Sequence, residues 1–145
     1  MNSLRMAWSY FLQAEERLRY IKASFKRGNY AYVVRESQEA VELSLKAALR
    51  AVGIEPAKIH DVGPLLVRHS NFFPEWFREN IEKMAAISET LAKEREKSMY
   101  GDEETLIPPN MLYTEENARS AMVNCEFVLK NCRKLLESLP EENKG

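Results

Sequence analysis

The sequence predicts an all-α protein, an up-and-down antiparallel bundle of four long helices plus one short one. Every strong hydrophobic period along the chain is helical, with apolar residues at three- and four-residue steps, and no stretch alternates as a strand would. Gly28, Gly53 and Gly101 each stop one of the periodic stretches. The connection between the first two stretches is short, which folds them back on each other as a hairpin. A length of 145 residues favours one domain with one core spanning 1–145, the last residues from Pro140 onward fraying.

The first helix is expected from Ser3 to about Lys26. Leu4, Ala7, Trp8, Phe11, Ala14, Leu18, Ile21 and Phe25 make its apolar stripe, and Gly28 ends it.

The second helix, near 30–52, organises the chain. Asn29 can cap its first turn and Gly53 takes the favoured position just past its end. Val33, Val34, Ala40, Val41, Leu45, Ala48, Leu49 and Val52 form a broad apolar face. Arg35, Glu39, Glu42, Lys46 and Arg50 step along the other side. Gln38, Glu42 and Lys46 fall at i, i+4 and i+8, which lets Glu42 and Lys46 pair in the better orientation. Most such polar lines are solvated faces stitched by weak ion pairs.

After a loop at 54–58, His60-Asp61 opens a short helix near 62–69. Asp61 reads as its N-cap and His60 as a half-buried neighbour. His69, near the end of that helix, is given no role. Asn71-Phe72-Phe73-Pro74 turns into what reads as one long helix, 74–99, with Phe77, Ile81, Met84, Ser88 and Leu91 on one stripe. The next step along the stripe is Arg95. An arginine on an apolar face must find a partner, snorkel or serve an interface. A loop with two adjacent prolines, 101–113, then leads to a last helix, 115–138, capped by Thr114. The expected core is Phe11, Leu18, Val34, Val41, Leu45, Leu49, Leu66, Ile81, Met84, Leu91, Cys125 and Leu129.

Composition narrows the function. Charged residues make up 30% of the chain, yet the formal net charge is −1, without the basic excess of a general nucleic-acid binder. The two cysteines, Cys125 and Cys132, sit two turns apart on one helix, too far for a disulfide, and read as core thiols in a reducing cytoplasm. No zinc-binding spacing, phosphate loop or nucleophile elbow occurs, and neither metal nor cofactor is expected. No signal peptide or long apolar span is seen.

Several strings together resemble one family. Gly28-Asn29-Tyr30, Arg35-Glu36-Ser37-Gln38-Glu39-Ala40-Val41-Glu42 and Leu45-Lys46-Ala47-Ala48-Leu49 lie in order on one helix. His60-Asp61 opens the next helix, and Arg95 precedes Tyr100-Gly101-Asp102, two prolines and Tyr113-Thr114-Glu115-Glu116. This pattern resembles stand-alone archaeal and bacterial HEPN (higher eukaryotes and prokaryotes nucleotide-binding) domains, from about Phe11 to Leu135. The resemblance implies a helical bundle that binds a nucleotide, RNA or a protein partner. It implies a homodimer, in places paired with a minimal nucleotidyltransferase. Many members are metal-independent ribonucleases of toxin type with an R-x4-6-H motif, the arginine stabilising phosphate charge and the histidine moving a proton. Here Arg95 matches the arginine, but the histidine positions hold Tyr100, Gly101 and Asp102. The expected ligand-binding residues are Arg95 and Tyr100, with Arg35, Glu42 and Lys46 as neighbours. A histidine-free ribonuclease would rely on Arg95, Glu96 and Tyr100. A non-catalytic oligomerisation or antitoxin-type scaffold is the third reading, and in the plainest one Arg95 only pairs with an internal carboxylate such as Glu42.

Overall fold

A computed structural model describes residues 3–140, and the expected fraying of 141–145 lies outside them. Seven α-helices follow in order among the described residues: α1 (Ser3–Lys26), α2 (Tyr30–Ala51), α3 (Gly63–Arg68), α4 (Glu75–Arg78), α5 (Ile81–Ala92), α6 (Arg95–Tyr100) and α7 (Glu115–Ser138). Short 3-10 turns cover Ser70–Phe72 and Pro109–Met111. Four helices are long, and among the described residues there is no sheet, only an isolated bridge between Asp102 and Ile107 in the last loop.

Helix α2 is central. It packs on α1, α7, α5 and α6 and touches α3. The buried apolar side chains form one cluster, with Phe11, Val33, Leu45, Leu49, Leu66, Phe77, Met84, Cys125 and Leu135 among its members. Eleven of the twelve expected core residues are buried. Leu18 is only half-buried, packed against the cluster from its margin.

The helix ends follow local chemistry. At the end of α2 the amide of Gly53 donates to Arg50 O and that of Ile54 to Leu49 O, at 3.0 and 2.9 Å. That bond pair requires the left-handed backbone that Gly53 supplies at φ +85°. Thr114 caps α7 in a reciprocal box: its hydroxyl accepts from the Asn117 amide, and the Asn117 side chain accepts from the Thr114 amide. Asn29 holds the N-cap position of α2, but its side chain makes no capping bond. Asp61 lies one residue before the N-cap, Val62, yet does a cap's work: its carboxylate accepts from the Gly63 amide at 3.1 Å and the Ser88 hydroxyl at 2.8 Å. Gly63 itself lies on α5, where a Cβ would come 3.0 Å from the backbone and Cβ of Ala85.

The stretch 74–99 is not one helix. It breaks at 79–80 and again at 93–94. At the first break the Asn80 side chain donates to Trp76 O and to Asn131 Oδ1, both at 3.1 Å, while the Asn80 amide tightens onto Phe77 O. The side chain thus takes the carbonyl that the regular ladder would use. At the second break the Glu94 amide turns back three residues to Leu91 O, and the Glu94 carboxylate accepts the Tyr113 hydroxyl at 2.8 Å. Both breaks keep nearly helical dihedrals, so the apolar period runs through them unbroken. Beyond the second break, α6 packs on α2.

Candidate functional site

The polar line of α2 is built from the i, i+4 register itself. Gln38 Nε2 donates to Glu42 Oε1 at 3.0 Å, and Lys46 Nζ donates to Glu42 Oε2 at 2.9 Å. Arg95, the first residue of α6, reaches across and donates from Nη1 to Gln38 Oε1 at 2.6 Å. The same nitrogen lies 3.7 Å from Glu42 Oε1. The stripe logic therefore holds: an arginine on an apolar face found an internal partner. Its nearest acceptor is the buried amide of Gln38, with Glu42 behind it.

His60 is the residue that sequence reasoning undervalued. It is exposed, not half-buried, and its Nδ1 lies 3.0 Å from Glu42 Oε1. An ionised carboxylate accepts, so the Nδ1 side of the ring donates to Glu42 and the Nε2 edge makes no contact with it. Its neighbour Asp61 is fixed by the Ser88 hydroxyl. No local period could have shown that the loop folds back over Glu42.

Glu42 is thus shared by four side chains. Burial pushes its carboxyl up, but hydrogen bonds from Gln38, Lys46 and His60, with the Lys46 charge, outweigh burial and hold it below the ordinary carboxylate range.

An open groove between α2 and α6 is lined by Arg35, His60, Arg95, Glu96, Lys97 and Tyr100, among others. Arg35 pairs through Nη2 with Glu39 Oε2 at 3.0 Å. Its Nε and Nη1 are buried and have no hydrogen-bond partner among the described residues. Unpaired buried N–H groups are costly and call for an acceptor. Tyr100 stands at the far end of α6, 61% exposed. Glu96 is exposed on the same rim. The structure therefore brings Arg35, Arg95, Glu96, Tyr100 and His60 to one groove. Lys46 lies on the other side of Glu42, in a neighbouring depression with Tyr10, Arg50 and Lys58.

Among the described residues no cluster of histidine, cysteine or carboxylate could hold a metal ion, and no helix is long and apolar enough to cross a membrane. Cys125 and Cys132 are free and buried, and burial pushes the Cys125 thiol up to about 12.

A central polar helix in a helical bundle, facing an arginine that begins a short helix before Tyr-Gly-Asp, defines a class. The HEPN domain model matches residues 7–135, and the chain belongs to the HEPN domain family. Among solved structures the chain is similar to TT1696 from Thermus thermophilus, at 26% identity and a TM-score of 0.71, over 92% of this chain and 98% of that one. The search of curated proteins gave no match.

Proposed function

We propose that this HEPN domain binds a phosphate-bearing nucleotide or RNA segment in the groove between α2 and α6, as a cytoplasmic homodimer. The observation that carries the reading is Arg35: two buried guanidinium N–H groups with no acceptor among the described residues, in the groove that Arg95 also lines. A planar guanidinium suits a phosphate, which two such groups can hold from two sides. Tyr100, exposed at the end of the groove, offers a face on which a base can stack. In that homodimer the contact includes the α6 rim near Arg95, where Met99 is exposed. A nucleotidyltransferase is a partner of fitting chemistry, since its substrate is also a nucleotide.

The test is fluorescence anisotropy with a labelled RNA oligonucleotide. Arg35→Gln and Arg95→Lys should each weaken binding about tenfold or more, the worth of one good charge-assisted contact. Wild-type protein that binds neither RNA nor mononucleotides up to millimolar concentration would refute the reading. Light scattering checks the dimer, and a monomer at high micromolar concentration would count against it.

A second reading has one observation in its favour. His60, oriented by Glu42 at 3.0 Å beside Arg95, puts an imidazole back beside the arginine although the R-x4-6-H spacing lacks it. A ribonuclease would use Nε2 of His60 to take the proton of the 2′-hydroxyl while Arg95 holds the phosphate. RNA cleavage in the presence of a chelator, lost in His60→Gln, would establish it. Intact RNA after long incubation leaves binding alone.

A further inference from the structure

Two arginines on α2 keep buried N–H groups without acceptors. Arg35 leaves Nε and Nη1 unpaired, and Arg50 leaves Nε unpaired, among the described residues. Arg50 makes no ion pair there; its guanidinium lies 5.8 Å from the centre of the Tyr10 ring. The two residues are fifteen positions apart, which on an α-helix is about 60° of rotation and about 22 Å of rise. They therefore share one face of α2 and stand near its two ends.

Each arginine lines its own depression, Arg35 beside Arg95 and His60, and Arg50 beside Lys46 and Lys58. Between the two lies the His60–Glu42 contact at 3.0 Å. Of the acidic residues along this face, Glu96 is exposed on the rim of the Arg35 groove, and Glu39 and Glu42 on α2 are paired. Glu39 is held by Arg17 and Arg35, at 3.2 and 3.0 Å. Glu42 is held by Lys46 and His60. Glu55 is the carboxylate left on the second depression, which Lys58 and Arg50 also line. The α2 arginines that keep buried N–H groups without an acceptor among the described residues, Arg35 and Arg50, stand toward its two ends.

We infer that Arg50, with Lys58, is a second phosphate subsite, and that the ligand is a single-stranded oligonucleotide lying along α2 from Arg35 to Arg50. This rests on the nucleotide-binding reading of the Arg35 groove and sharpens it. A separation of about 22 Å exceeds the reach of the phosphates of one mononucleotide, whereas a strand of several nucleotides spans it. Tyr10 lies under the Arg50 guanidinium and lines the second depression, while the exposed Tyr100 stands at the near end.

The experiment compares a labelled dinucleotide with a labelled octanucleotide, both RNA, on wild-type protein and on Arg50→Gln and Arg50→Lys. The octanucleotide should bind more tightly than the dinucleotide. Arg50→Gln should bring it down to the dinucleotide level and lower the salt slope by about 0.7, the worth of one phosphate on a single strand. Binding of the dinucleotide should not change. Arg50→Lys should restore part of the loss, which excludes a folding defect as its cause. Equal affinity for the two lengths, both sensitive to Arg35→Gln, overturns the second subsite and leaves the groove reading standing. Absence of all RNA binding in the wild type overturns both. Polyglutamate that competes as well as RNA assigns the face to an acidic protein partner and overturns the oligonucleotide.

Discussion

Removing the Arg95 guanidinium should cost stability as well as binding, and the amount can be worked from its contacts. Gln38 is 2% exposed, and its side-chain oxygen accepts from Arg95 Nη1 at 2.6 Å. In Arg95→Ala that oxygen is left in the interior with no donor, which costs roughly 1–3 kcal/mol. The loss of attraction to Glu42 at 3.7 Å adds little, because the Arg95 side chain is 23% exposed and solvent screens it. The expected total is about 1–3 kcal/mol, or roughly 3–10 °C in Tm for a chain of this size. A double-mutant cycle with Gln38→Ala isolates the contact. Urea denaturation of the four proteins should give a coupling of about 1.5–3 kcal/mol, the range for a hydrogen bond to a charged group. A coupling below about 0.5 kcal/mol would show that Gln38 and Arg95 are neighbours without being partners. Because this role coexists with phosphate binding, binding to Arg95→Ala must be measured well below its lowered Tm.

Leu45 is fully buried in the cluster, so Leu45→Ala should cost roughly 2–5 kcal/mol in denaturant, and a loss under half a kilocalorie would remove α2 from the centre of the core. Ellman's reagent should titrate neither Cys125 nor Cys132 in the native protein at about pH 8 and both after unfolding; fast native labelling would mean that α7 opens. The Glu42 carboxyl sits below its ordinary value of 4.5 in the folded state. Its contribution is therefore present above that ordinary value and lost as pH falls through the lowered folded one. The stability gap between wild type and Glu42→Gln should narrow on acidification, and a gap that stays constant from neutral pH into the acid limb would contradict the assignment.

Periodicity read the fold well because burial is a matter of faces. The stripes of α1, α2 and α7 and the caps at Gly53 and Thr114 are local, and a 3.6-residue repeat records them directly. The breaks at Asn80 and Glu94 were invisible for the opposite reason. Each depends on a distant partner, Asn131 for one and Tyr113 for the other, and leaves the dihedrals nearly helical. The same division runs through the site. Gln38, Glu42 and Lys46 share a register that the sequence displays, and Arg95 was visible as a charge out of place on an apolar stripe. That Gln38 would be its closest acceptor, and that His60 would lie on Glu42, came from how α6 and the 53–62 loop return to α2. Lys46 reads as a neighbour of the Arg95 site, yet the two approach different oxygens of Glu42.

The loop before α3 is anchored at both ends by features outside its own sequence. Gly53 closes α2 upstream, and downstream Asp61 is bonded to Ser88 while Gly63 lies against Ala85. Residues 55–57 between these anchors set neither helix. They can be exchanged or lengthened at a small entropic cost, about 0.6 kcal/mol per doubling of length. His60, one position before Asp61, is held by its contact with Glu42 on α2 and by the Asp61–Ser88 bond beside it. The protein can therefore be redesigned in two independent parts: a rim that tolerates insertion, for changing what docks beside the groove, and an imidazole whose position beside Glu42 survives such changes. Gly63 is the position where that separation ends, since a Cβ there would meet the Ala85 backbone at 3.0 Å and α3 or α5 would have to give.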